Sequence, residues 1–177
     1  MQSILIIIAI NVLVFIMVNI RPDLLPYLGL MPDGIWQRPW QIISSVFTHY
    51  GFFHLFANMY TLYFFGSSVH QLLGERRFWL IYLAGGIAGS LAYILLSPGY
   101  LAIGASGAVF ALGGALAVLR PNLKVYILFI PVAMPLWVAV LGGFALLSFI
   151  GGVAWQAHLG GLLLGVLVGY YYRRKGY

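Results

Sequence analysis

Residues 3–20 read SILIIIAINVLVFIMVNI, a run without a single charged side chain. An α-helix needs about 20 apolar residues to cross the hydrocarbon core of a bilayer, and this run is long enough to do so. No basic residue precedes it and no small-residue cleavage site follows it, so the expectation is a retained helix rather than a signal peptide. Working outward, comparable apolar stretches occupy 52–73, 78–96, 105–119, 136–150 and 155–172. The 177-residue chain is 63% hydrophobic and only 7% charged. A soluble domain of this size would need far more charge to coat its surface. The expected fold class is therefore an all-α polytopic membrane protein: one domain over 1–177, built as a bundle of six transmembrane helices.

Between the stretches, 21–50 is a long connection carrying Pro22, Pro26, Pro32 and Pro39 with Trp36 and Trp40, a mixture suited to the membrane interface. Ser97-Pro98-Gly99 reads as a chain break. The segment from Lys124 to Pro135, β-branched and interrupted by proline, reads as a loop on or dipping into the interface. With six spans and the N-terminus inside, the inner segments hold Arg76, Arg77, Arg120, Lys124, Arg173, Arg174 and Lys175, whereas the outer ones hold only Arg21 and Arg38. Basic residues concentrate on the cytoplasmic side, so both termini are expected there. In a membrane protein the +6 charge reports topology, and no nucleic-acid partner is expected. There is no cysteine, hence no disulfide, thiolate nucleophile or cysteine metal site.

The three acidic residues, Asp23, Asp33 and Glu75, are expected in loops, which removes intramembrane carboxylate chemistry. No HExxH motif occurs, so a zinc protease lacks its helix motif. The polar groups left inside the spans form a pattern. His54 and Asn58 lie four residues apart on one helical face; Ser106 opens the fourth stretch within Gly104-Ala105-Ser106-Gly107; His158 lies near the start of the sixth. Singly, each is an ordinary packing or interhelical hydrogen-bonding residue. Together they differ, because the second, fourth and sixth spans run in the same direction, which puts all four side chains at one depth near the outer face. Small residues recur every fourth position in the sixth stretch (Ala157, Gly161, Gly165, Gly169), and Gly113 stands seven residues after Ser106. Such residues let helix backbones approach closely in lipid, as a Ser–His hydrogen bond between helices requires.

The chemistry this pattern supports is acyl transfer by a Ser106–His158 dyad, with Ser106 as nucleophile and His158 as general base. The Ser106 backbone N–H, at the unpaired start of a helix, and the side chains of His54 and Asn58 are the candidate oxyanion donors. Phe110, one turn below Ser106, is placed either to pack on the His158 ring or to serve as an ordinary core aromatic.

At these residues the chain resembles the rhomboid family of six-span prokaryotic intramembrane serine proteases. The matching pieces are His54-Leu-Phe-Ala-Asn58, Gly104-Ala-Ser106-Gly107 and Ala157-His158-Leu-Gly-Gly161, in the family's order and spacing, with His49 five residues before His54. The resemblance implies a central fourth span, a water-filled cavity open to the outside and a membrane-embedded first loop. It also implies a flexible cap at about 150–154 and substrate entry beside the fifth span. Membrane-protein substrates would be cut near the outer ends of their transmembrane helices, after small residues, without a metal or other cofactor, in a prokaryotic plasma membrane. Gly104, Gly107, Phe110 and Gly161 would support the site. Gln41 stands where the family usually has Arg, and His70 where many members have Glu. Two other classes compete: a small transporter, for which the chain lacks intramembrane charge and related halves, and a non-catalytic relative that binds membrane helices, which would have lost Ser106 or His158.

Overall fold

The computed structural model describes residues 1–96, 99–127 and 130–176, so the break read at Ser97-Pro98 lies outside the described residues. Among the described residues there are eight α-helices: α1 (Gln2–Ile20), α2 (Leu25–Leu28), α3 (Gln41–Phe47), α4 (Phe52–Leu73), α5 (Glu75–Leu96), α6 (Ser106–Leu119), α7 (Leu136–Ser148) and α8 (Trp155–Arg174). α5 begins three residues before the apolar stretch read at 78 and takes in Glu75. The carboxylate expected in a loop is thus in a first helical turn, where the partial positive charge of the unpaired N–H groups favours it. α4 passes into α5 through Gly74 alone, whose φ of +82° is open to glycine and strained for other residues.

α6 is the centre of the bundle. It has 14 residues, and ten of them are buried. At 1.5 Å per residue it is about 21 Å long, shorter than α4, α5 and α8 around it. Apolar residues cover every side of it, as expected of a helix with protein all round. Glycines bring its neighbours close. A methyl group added at Gly161 or Gly165 of α8 would overlap the carbonyl oxygens of Gly107 and Ala111, and one at Gly169 would lie 2.7 Å from that of Ala115. On the α5 side, Gly85 leaves room for the Ala111 side chain, and a methyl added at Gly89 would sit 2.8 Å from the Ala157 carbonyl. These contacts set α8 parallel to α6 and α5 antiparallel to both. Gly113, expected to help bring Ser106 and His158 together, does not face α8: a methyl there would meet Phe65 of α4 and Val140 of α7. Gly114, one residue on, is the position that faces Leu162 of α8. A step of 100° per residue moves a side chain from one neighbouring helix to the next.

The 21–50 connection is ordered rather than a plain loop. It holds α2, α3 and two short 3₁₀ turns at Pro22–Leu24 and Pro32–Gly34. Gln41 ties it together: fully buried, it donates to the carbonyl of Pro26 (2.9 Å) and accepts from the Met31 N–H (3.0 Å). Trp40 and Ser44 add bonds to the carbonyls of Tyr27 and Leu28. Leu30 and Ala102 exchange both backbone hydrogen bonds, fastening this connection to the segment that leads into α6. The Lys124–Pro135 segment, expected as a loop, forms a two-stranded antiparallel hairpin, β1 (Lys124–Ile127) and β2 (Ile130–Pro135). Its β-branched residues favour the pleated backbone, and proline is tolerated because both strands are edges.

Candidate active site

α4, α6 and α8 point the same way and each contributes side chains at its first turns. Ser106 is the first residue of α6, and His158 lies in the first turn of α8. His158 Nε2 and Ser106 Oγ are 2.8 Å apart, a hydrogen-bond distance for these groups. His158 is 4% exposed, and Ser106 is half-buried. The other ring nitrogen, His158 Nδ1, is buried with no hydrogen-bond partner among the described residues. The ring is held instead by stacking: the Phe110 centroid lies 4.7 Å away with the planes 31° apart, and Phe110 in turn meets Phe144 of α7 edge-on.

The helix ladder of α6 opens with Val109 N–H donating to the Ala105 carbonyl at 2.9 Å. The N–H groups of Ser106 and Gly107 therefore precede the ladder and are not used within it. Gly104, with φ of +121°, turns the chain into α6. A Cβ at Gly104 would lie 2.7 Å from His54 Nε2, so only glycine lets the imidazole rest against this turn. Asn58, one turn further along α4 and 6% exposed, donates one amide hydrogen to the His54 carbonyl at 2.9 Å and keeps a second. The structure thus brings Ser106, His158 and Phe110 together. It places His54 against Gly104, and leaves Asn58 bonded within its own helix.

Three groups around the site carry no role in the reading of the sequence. His49 is fully buried; its Nε2 accepts the Ala105 N–H at 3.2 Å and its ring meets that of His54 edge-on at 4.9 Å. Burial, and behind it the neighbouring His54, push the His49 imidazole down to about 3, so it stays neutral and able to accept that bond. The Ser45 carbonyl accepts the Gly104 N–H at 2.9 Å. Beside Ser106 a cavity of about 20 Å³ is lined by Ser45, Gly89, Ser90, Gly104, Gly107 and Ala157. That volume accommodates roughly one water molecule. The only signal in the sequence for His49 is its place five residues before His54; Ser45 acts through a backbone atom, which no side-chain pattern can reveal.

α7 is the least buried of the long helices, with only Leu136 and Val140 out of contact with the surroundings. The segment that follows leaves Phe149 91% exposed. Gly152 there has a φ of +80°.

A rhomboid-domain family model matches residues 37–175. Among curated proteins, the chain is 36% identical over 159 residues to Rhomboid protein 1, mitochondrial, of Saccharomyces cerevisiae, covering 82% of this chain and 45% of that protein. It is 35% identical over 138 residues to Rhomboid protease GluP of Bacillus subtilis, covering 77% of this chain and 26% of the relative. It is 37% identical over 134 residues to RHOMBOID-like protein 4 of Arabidopsis thaliana, covering 74% of this chain and 33% of the relative. The chain spans less than half the length of each of these three relatives. A domain match over most of the chain, joined by relatives above 30% identity, makes this protein a member of the rhomboid family of integral membrane proteins.

Proposed function

We propose that the chain is an intramembrane serine endopeptidase that hydrolyses peptide bonds in or near the transmembrane segments of membrane proteins. The 2.8 Å approach of His158 Nε2 to Ser106 Oγ carries this reading. With Nε2 unprotonated, the Ser106 hydroxyl donates to it. As Oγ bonds to the substrate carbonyl carbon, the hydroxyl proton passes to Nε2. The C–N bond then breaks, and the leaving amine takes that proton. A water molecule repeats the sequence on the acyl-enzyme: its proton goes to Nε2, the hydroxide adds to the ester carbon, and Oγ leaves with the proton. Among the described residues no carboxylate meets His158 Nδ1, so the Phe110 ring orients the imidazole in place of the third member of a triad.

The tetrahedral oxyanion needs donors placed in advance. The Ser106 N–H, the remaining Asn58 amide hydrogen and the His54 ring serve this purpose. The small cavity walled by Gly89, Gly104, Gly107 and Ala157 suits a small side chain next to the scissile bond. The collection of basic residues at one end of the bundle supports six spans with cytoplasmic termini, and in this reading the site faces the outer side of a prokaryotic plasma membrane.

Purified protein in detergent, incubated with a single-span model substrate, tests the reading. Wild type should cleave, and Ser106→Ala should not. Cleavage by Ser106→Ala, or a folded wild type that only binds the substrate, rejects it.

A further inference from the structure

The whole formal charge of +6 sits at the end of the bundle opposite Ser106. The Arg21–Tyr50 side carries two basic and two acidic residues, and the other side carries seven basic residues and Glu75. The register set by Gly85, Gly161, Gly165 and Gly169 brings the first turn of α5 level with the last turns of α6 and α8. Arg173 reaches from α8 to the Val118 carbonyl of α6 at 3.2 Å. Arg77 of α5 lies over the Tyr172 ring of α8, 4.7 Å from its centroid. Arg174 and Lys175 lie over Tyr170 and Tyr171, each 4.9 Å from the centroid. Rings and carbonyls therefore orient these cations without cancelling their charge. The one carboxylate at this end, Glu75, accepts a hydrogen bond from the buried Ser3 hydroxyl. The Arg21–Asp23 ion pair lies at the other end.

At the same end of the bundle the β1–β2 hairpin, which follows α6 and packs on α7, exposes apolar surface. Tyr126 is 71% and Val132 61% exposed, next to the exposed Lys124, and Trp137 at the start of α7 is 49% exposed. Guanidinium groups meet phosphate oxygens in pairs, whereas tyrosine, tryptophan and valine side chains suit the boundary with acyl chains. A soluble phosphate ion would use only the first of these features, and a phospholipid uses both. We propose that the inner ends of α5, α6 and α8 bind the headgroup of an anionic phospholipid, with Arg77 and Arg173 as its phosphate ligands and the hairpin against its acyl chains. The proposal does not depend on the chemistry of Ser106.

Native mass spectrometry of the full chain in neutral detergent, titrated with phosphatidylglycerol or phosphatidylcholine, tests it. Phosphatidylglycerol should bind about 25-fold more tightly, as expected for two basic contacts at about fivefold each. The double substitution Arg77→Gln with Arg173→Gln should bring the two lipids within about twofold, while Arg77→Lys with Arg173→Lys should retain most of the preference. Should the glutamine double variant not fold, Arg174→Gln with Lys175→Gln, both exposed, should still lower the preference. Arg21→Gln with Arg38→Gln, at the opposite end, should leave it unchanged. Equal binding of the two lipids, a preference that survives both glutamine pairs, or displacement of the lipid by millimolar inorganic phosphate would overturn the proposal.

Discussion

Ser106 and His158 act as a unit in the proposed chemistry, so their substitutions should not add. Ser106→Ala, His158→Ala and the double variant should all fall to the same residual rate in a cleavage assay, with thermal unfolding reporting a folded protein in each case. Asn58 presents a different expectation. It holds the His54 carbonyl with one amide hydrogen, so the other is available to the oxyanion. Asn58→Ala should lower kcat by up to about 10²–10³-fold and leave KM nearly unchanged; a pure rise in KM would assign Asn58 to packing. His49 carries a pH dependence of stability. Its folded value near 3 lies below the ordinary 6.5, so the unfolded chain binds a proton between those values and the native one does not. This contribution is complete above about pH 6.5 and is lost as pH falls toward 3. Between pH 7 and 5 the wild type should lose on the order of 1–2 kcal/mol more stability than His49→Asn, measured by denaturation at each pH.

Helix contacts, more than any single side chain, decide how close Ser106 comes to His158. Gly161 packs against the Gly107 carbonyl with no room for a Cβ. Gly161→Ala should therefore push α8 away from α6, costing about 1–3 kcal/mol as overpacked cores do and reducing cleavage strongly. Gly142, on α7, has nothing within 4 Å of an added Cβ. Gly142→Ala should be neutral or raise the melting temperature slightly, because alanine favours the helix by about 1 kcal/mol over glycine. The pair separates crowding from helix propensity: equal effects in both would mean that the α6–α8 contact does not hold the site. At this scale Gln41 also finds its place. Its amide is fully buried and bonds to Pro26 and Met31, so it anchors the 21–50 connection.

For the whole molecule, the placement of Ser106 and His158 at the first turns of parallel helices predicts where a substrate is cut. Gly107 packs on Gly89 of α5, so at 1.5 Å per residue the site lies about 10 Å inside the end of that helix at Leu96. Cleavage should map by mass spectrometry to the outer third of the substrate span or just beyond. Substrates with Gly or Pro there should be cut faster, since a helical carbonyl must first leave its hydrogen bond. Cuts at the cytoplasmic end would reject both the orientation and the site. The absence of cysteine makes orientation directly testable: Gln37→Cys should react with an impermeant maleimide added from outside, and Arg174→Cys should not.

The sequence by itself determined the features that depend on local chemistry and order. The apolar lengths mark the long helices, the motif spacing marks the family, and the helical periods bring Ser106, His158, His54 and Asn58 to matching positions in their segments. Only the tertiary structure decided what depends on contacts between distant segments. A one-residue step chose Gly114 over Gly113 as the contact with α8, because helix rotation is set by all neighbours at once. Pairing with β2 made a strand of Lys124–Ile127, since a short β-branched run has no fixed structure without a partner. The bond from Ala105 N–H to His49 joins residues 56 apart, and the Ser45 carbonyl reaches Gly104 through backbone alone. Long-range backbone contacts leave no periodic trace in sequence, because any residue type supplies the same carbonyl and N–H.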